Sequence, residues 1–350
     1  MRFGRRQQAT PQATPASVEA FWAWWGSEGR GAAEVALQGP PADLEVFRAT
    51  LRDQVGAVAP GLRWACEEDA GNPGQHLLVV TAEGVPVLRA SARRWRDAAP
   101  DGPEHDRWTY ADGRSTFSAD GDVTVRHAGA THSVSLDDVA IGARRGDAGF
   151  DVVLHHPSFT GLDAGLRQAL ADALVAAALG EDRVARWLGT VTGAEHRPTD
   201  SFGVSALRSL IDQLEGGSGT GGPWVVRRGT ALRKPVELTT RMPLTGEAYP
   251  TYDHHGVLSV RFTAGTDGMP DDTGRAELQR LDEALAEALG DDGLVVAHLL
   301  TRGTRVTHLY LDGWTDALGL VRQALATAAP DARLQDAHDP TWDAVRRLQP

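Results

Sequence analysis

Apolar positions along the chain recur with two periods. Leu44, Phe47, Leu51, Val55 and Val58 fall at i, i+3, i+7, i+11 and i+14, one stripe of an α-helix. Val85, Leu88, Ala92 and Trp95 repeat the helical spacing, and Pro100 stops it. Before the first stripe, "VEAFWAWW" puts Phe21, Trp24 and Trp25 on one face of a short helix that Ser17 can cap. The segments "AAEVALQ", "LRWACEED", "QHLLVVTAE" and "DRWTYADG" read as strands, with turn chemistry in "AGNPG". The predicted order over 33–112 is β-α-β-β-α-β.

The same order returns near the C-terminus. "HGVLSVRFTAG" alternates as a half-buried strand does, with Leu258, Val260 and Phe262 on one side. Leu278, Leu281, Leu285 and Leu289 mark a helix that Gly290 ends. "LVVAHLLTRGTRVTHLYLDG" is a hairpin about a tight Arg302-Gly303 turn. A helix with Trp314, Ala317, Leu318, Val321 and Leu325 inward, the strand "DARLQDAHD" and a last helix opened by Pro340 complete the copy. Between the copies, 115–215 reads as a hairpin turning at Ala128-Gly129 and a β-α-β-α tail, in which "VARWLGTVTG" is a strand.

The expected fold class is therefore α+β: two ferredoxin-like (βαββαβ) antiparallel-sheet units with a βαβα extension between them. The expected organisation is a disordered tail over 1–16, an N-terminal domain over 17–215, a linker over 216–223 and a C-terminal domain over 224–350. The glycines of "LEGGSGTGGPW" match G-x-G-x-x-G at Gly217, Gly219 and Gly222. A dinucleotide loop must leave a strand and open a helix. Here a helix precedes the glycines and Pro223 with the strand "WVVRRG" follows, so the stretch reads as a flexible linker.

Charge narrows the function classes. The chain carries a formal net charge of -12 over 350 residues. An acidic surface repels phosphate, so a general nucleic-acid binder is not expected. No basic patch stands out; Arg93, Arg94 and Arg96 beside Trp95 read as a solvated helix face. Cys66 is the single cysteine, which excludes an internal disulfide and a cysteine-based zinc site. Its acidic neighbours would raise a thiol pKa, so it reads as a strand residue. With no long apolar run and no signal peptide, no membrane association is expected and the cytoplasm is the expected compartment. No cofactor is expected.

Twelve histidines invite a search for metal and acid–base sites. There is no H-E-x-x-H and no G-x-S-x-G. His155 and His156 end a strand and point to opposite faces. In "YPTYDHHG", a loop could bring Asp253 together with His254 or His255 as an acid–base pair or as two metal ligands, with His156 as a further candidate. The bland reading is a solvated loop. His298 and His308 stand diagonally across one hairpin and are not expected to share a metal. Glu181-Asp182 and Asp291-Asp292 each follow a helix-ending "LG" and read as turn residues.

"PTYDHHGVLSVRF", "LQRLDEALAEAL", "AHLLTRGTRVTHLYL" and the closing "DPTWDAVRRLQP" resemble the bacterial domain of unknown function 695 family. "FWAWW", "ALGED" and "VARWLGTV" extend the resemblance over most of 18–350. The family has no catalytic residues to carry over. Its association with a domain that looks like the regulator of ribonuclease activity B implies protein binding or regulation. The leading expectation is thus a non-enzymatic protein that engages another protein through an acidic, tryptophan-containing surface, with Trp24, Trp25 and Trp342 as binding residues. The alternative is a hydrolase or metal-dependent enzyme with Asp253, His254, His255 and His156 in a cleft between halves.

Overall fold

The computed structural model describes residues 11–350 except 69–73, 102–106, 115–121, 128, 147–148, 218–222, 243, 245 and 349–350. Most of the expected tail, the "AGNPG" turn and the core of the glycine linker lie outside these residues. The described chain is a mixed α+β protein that divides into two compact units. The first runs to Arg144 and includes Asp151–Val204; the second takes Arg145–Phe150 and Ser205 onward. Among the described residues no helix is long and apolar enough to cross a membrane.

In the first unit, α1 (Pro15–Trp24) starts at a capping box. Thr14 Oγ1 accepts the Ser17 N–H at 3.1 Å, and Ser17 Oγ accepts the Thr14 N–H at 2.9 Å. Thr14 is therefore the N-cap in place of Ser17. A π-helical turn, Trp25–Gly29, carries the chain on into α2 (Arg30–Gln38). The strand expected at "AAEVALQ" is thus helical. Ala, Glu, Leu and Gln are strong helix formers, Ala33 and Ala36 are buried one turn apart, and Val35 is exposed. Next, α3 (Pro41–Val58) buries Phe47, Leu51, Val55 and Val58, as their spacing predicts.

β1 (Arg63–Glu68) pairs antiparallel with β2 (His76–Thr81). The chain then crosses through α4 (Arg89–Asp97) to β3 (Trp108–Ala111), which lies parallel to β2. Without a leading strand, and with β3 parallel, this sheet is β1-β2-β3 and not the expected βαββαβ unit. Phe21, Trp22, Trp25, Trp95, Trp108 and Tyr110 form its aromatic core, with neighbouring centroids 4.8–6.4 Å apart. The arginine run is a solvated face only at Arg96. Arg94 is buried, and Arg93 bonds Asp112 at 2.5 Å and Asp182 at 3.2 Å.

The first half continues with the hairpin β4 (Asp122–His127) and β5 (Ala130–Ser135), and a sheet of β6 (Ala140–Arg145), β7 (Phe150–His155) and β8 (Leu188–Gly193). Between β7 and β8 run α5 (Ala164–Leu179) and α6 (Glu181–Trp187). The strand expected over 184–193 is therefore half helix. Gly180, at φ 80°, closes α5, and Glu181 and Asp182 open α6 where the helix dipole favours acids. These two acids also bolt α6 down. Glu181 accepts from Thr81 Oγ1, and Asp182 takes Arg89 and Arg93.

The second unit opens with α7 (Val204–Gly217) and builds one antiparallel sheet. Its strands are β9 (Trp224–Ala231), β10 (Lys234–Arg241), β11 (His254–Arg261), β12 (Gly293–Thr301), β13 (Thr304–Leu311) and β14 (Arg333–His338). Their order across the sheet is β14-β11-β13-β12-β10-β9. Two helices, α8 (Asp272–Leu289) and α9 (Ala317–Ala328), cover one face. There Leu278, Leu281, Leu285 and Leu289 meet Leu258, Val260, Leu309 and Val321. Each buried leucine stabilises the unit by roughly 1.5–3 kcal/mol. The opposite face carries a smaller core of Leu244, Val296, Tyr310, Trp342 and Val345 under the short α10 (Asp343–Arg346).

Candidate functional site

β11 begins at His254, one residue before the expected strand, so both histidines are strand residues while Asp253 stays outside, and consecutive strand residues face opposite ways. His254 lies on the face that carries the helices. Its Nε2 is 3.0 Å from Asp336 Oδ2 on β14, and Arg322 of α9 donates to Asp336 Oδ1 at 2.8 Å. The hydrogen bond from His254, aided by Arg322, holds the Asp336 carboxyl below its usual range. His255 lies on the other face, its Nε2 3.1 Å from His308 Nδ1 and its ring 4.7 Å from that of Tyr310. Burial lowers both histidine pKa values, that of His308 to about 4. A neutral pair in which one ring donates to the other fits these surroundings.

Asp253 precedes the strand with its carboxylate buried. It accepts the Gly313 N–H at 3.3 Å and lies 3.5 Å from His338 Nε2. Its backbone carbonyl accepts the Asp339 N–H at 2.7 Å, which ties the start of β11 to the end of β14. His156 belongs to the first unit. Its Nδ1 accepts the Ser158 N–H at 3.1 Å, and the Ser158 hydroxyl lies 2.7 Å away. The remaining proton of the neutral ring therefore sits on Nε2, which is buried without a hydrogen-bond partner among the described residues. Within the second unit the expected constellation is split: Asp253 and His254 both lie within 4 Å of where a Gly313 Cβ would stand, and His255 turns away from them. His254 and His255 serve two different pairs on opposite faces, and Asp253 pairs with His338. Among the described residues no group of three His, Cys, Asp or Glu side chains is placed to hold a metal ion.

Two of the three expected binding tryptophans are core residues. Trp25 is wholly buried and donates Nε1–H to the Tyr110 hydroxyl at 2.9 Å. Trp342, 4% exposed, stacks on Tyr310 and donates to the Tyr252 carbonyl at 2.9 Å. Trp24 is half-buried against Phe21 and Trp25, and Gly29 makes room for its ring: a Cβ there would lie 2.8 Å from Trp24 Cη2. A partner cannot dock on Trp25 or Trp342 without displacing the core.

Four of the nine exposed large apolar side chains among the described residues lie elsewhere, on one hairpin. Trp224 is 40% exposed, Val226 48% and Leu232 82%, with Val225 beside them, all on the β9–β10 hairpin. Among the described residues β9 pairs with β10 alone and is a terminal strand of the sheet. The Met242 N–H donates to the Pro223 carbonyl at 3.0 Å, which fixes the alternation of the ladder. Val225, Arg227, Gly229 and Ala231 turn their backbone groups toward β10. Trp224, Val226, Arg228 and Thr230 turn theirs outward. The hairpin closes through Leu232 and Arg233 at φ 51° and 60°, a conformation that costs non-glycine residues energy. The Trp224 ring is held by Arg241, whose guanidinium carbon is 4.6 Å from its centroid, and by a stack with His298 at 5.3 Å.

This hairpin is also basic. Residues 224–241 carry Arg227, Arg228, Arg233, Lys234 and Arg241 against the single carboxylate of Glu237. The overall charge of -12 hides this local reversal. The signal was present in "WVVRRGTALRKP", a run of valines and cations about one turn. That β9 ends the sheet follows only from the tertiary pairing. Compared with family models, with curated proteins and with solved structures, the chain matches none.

Proposed function

We propose that this protein is a non-enzymatic binding or regulatory protein that docks a protein partner on the β9–β10 hairpin. One observation carries the reading: Trp224, Val225 and Val226 stand exposed side by side at the start of a terminal strand, and Leu232 stands exposed at the turn beyond its other end. Exposed apolar groups clustered in this way mark interaction surfaces, and aromatic and arginine side chains dominate their energetics. The tryptophan that serves the surface is Trp224, and its setting is basic, in place of the acidic tryptophan surface expected from composition. A cytoplasmic setting without membrane or nucleic-acid partners belongs to the same proposal.

The fold and family readings support it by analogy. We read the segment β11-α8-β12-β13-α9-β14, whose sheet order is β14-β11-β13-β12, as a ferredoxin-like unit to which β10 and β9 are added. Membership of the domain of unknown function 695 family is proposed on the closing Asp339-Pro340, Trp342 and Leu348. Fold alone does not assign function.

The test is affinity capture from the protein's own cells, run in parallel with the native chain and with Trp224→Ala and Val226→Asp variants. A stoichiometric partner retained by the native chain and lost by both variants, with unchanged circular dichroism, supports the reading. A partner held equally by all three places the docking surface elsewhere.

A further inference from the structure

We infer that the partner segment is an acidic, extended stretch of another protein that pairs with β9 as a seventh strand; this rests on the docking reading above. The hairpin offers three things to such a segment at once. The first is hydrogen bonding. Val226, Arg228 and Thr230 aim N–H and C=O groups away from β10, and an added strand satisfies them in register. The second is apolar contact on both sides of the pleat. Trp224 and Val226 line one side and Val225 the other, so alternate residues of the incoming strand meet apolar neighbours. The third is charge. Five cations against one carboxylate favour a segment rich in Asp and Glu.

The distribution of the cations sharpens the choice. Arg228 already pairs with Glu237 at 2.7 Å, and Arg241 is engaged by Trp224 and by the Val295 carbonyl at 3.0 Å. Arg233 and Lys234 sit exposed at the turn, where β9 ends. The acidic groups of the incoming strand are therefore placed toward the turn and its apolar groups toward Trp224. A second copy of this chain fits less well. Antiparallel pairing of β9 with its own counterpart over 224–230, the register that matches outward groups to outward groups, sets Arg227 opposite Arg227, and like charges placed directly opposite destabilise a sheet.

The experiment uses the full chain and two labelled decapeptides, one alternating Val with Glu and one alternating Val with Lys, read by fluorescence anisotropy at low and moderate salt. The variants are Val226→Pro and the turn pair Arg233→Glu with Lys234→Glu. Val226→Pro removes an outward N–H and leaves the β10 ladder intact. The turn pair is exposed and outside the core, so it keeps the test decisive if the proline variant fails to fold. The expected result is binding of the Glu peptide at least tenfold tighter than the Lys peptide, weakened by salt, lost in Val226→Pro, and shifted toward the Lys peptide in the turn pair. Equal binding of both peptides, or preference for Lys, sensitive to Val226→Pro, overturns the acidic assignment and leaves the docking surface standing. Binding unaffected by Val226→Pro overturns strand addition. Binding of neither peptide overturns the inference as a whole, and capture with Trp224→Ala then decides the docking reading alone. A dimer of the native chain in sedimentation that Val226→Pro dissolves makes the occupant a second copy and also overturns it.

Discussion

Tyr310 and Trp342 stack face to face with ring centroids 4.0 Å apart and planes 8° from parallel. The contact joins the C-terminal end of β13 to the segment around Trp342. The Tyr310 hydroxyl continues it by donating to Asp339 Oδ2 at 2.7 Å, and Asp339 accepts the N–H groups of Asp343 and Ala344 at 3.0 Å each. The "DPTW" stretch is therefore a clasp that folds the C-terminus over the second face of the sheet.

Trp342→Ala opens that clasp. A buried tryptophan replaced by alanine costs about 3–5 kcal/mol. The expected outcome in urea is a clear loss of stability, with Trp342→Phe recovering much of it. Trp24→Ala, at a half-buried ring, is expected to cost less than either Trp25→Ala or Trp342→Ala. Equal losses at Trp24 and Trp25 would contradict the packing described.

Asp339→Asn keeps the shape of the clasp but removes its charge. Hydrogen bonds to a charged group contribute about 1.5–3 kcal/mol, so a loss of that order is expected. Burial and the Asp339 carboxylate together hold the Tyr310 phenol protonated well beyond the ordinary tyrosine range. Ultraviolet titration should show one tyrosine that ionises only on unfolding. In Tyr310→Phe that silent tyrosine should be missing.

Acid should weaken the second unit through its buried histidines. Burial, with Arg305 adding, lowers His298 to about 4; burial, with His255 adding, lowers His308 to about 4. Between pH 6.5 and 4 the unfolded chain binds protons that the folded one refuses. Stability is therefore full above pH 6.5 and falls as pH drops toward 4. At pH 5 the loss is roughly 2 kcal/mol for each such histidine. Urea midpoints at pH 7.5 and 5 measure it, and His298→Asn should flatten the pH dependence. A midpoint indifferent to pH would show that these rings take up protons freely in the folded state.

Gly274→Ala tests the approach of α8 to the strand before it. A Cβ at this position runs into the Thr263 backbone carbonyl, which a rigid neighbour cannot yield. A loss of about 1–3 kcal/mol is expected from such overpacking. Gly203→Ala, with open space around it, serves as the silent control.

The C-terminal unit was legible in the sequence because several local signals agreed there. The leucine stripe of α8 is bounded by Asp271, whose carboxylate accepts the Gly274 N–H at 2.9 Å, and by Gly290 at positive φ. The β12–β13 hairpin turns at Arg302 and Gly303, both at positive φ, where the dipeptide predicts it. The first half misled because alanine reads weakly. "AAEVALQ" has an apolar pattern short enough for a strand, and only the helical turn before it decides the outcome. The alternation in the sequence marks a strand from His255 on; with His254 also in β11, the pleat separates the two rings. Trp25 and Trp342 could not be told from surface residues, since an aromatic run gives the helix but not what covers it. The edge status of β9 was equally hidden. It depends on which strand stops beside it, a fact of pairing and not of composition.

Residue-resolved amide exchange over β9, free and with the Glu-containing decapeptide, tests the central claim most directly. In the free protein, the Val226, Arg228 and Thr230 amides should exchange rapidly while Val225, Arg227 and Gly229 stay protected, and the peptide should slow the first set alone. Slow exchange at Val226 and Arg228 in the free protein, or no change on adding a bound peptide, would contradict an open docking edge.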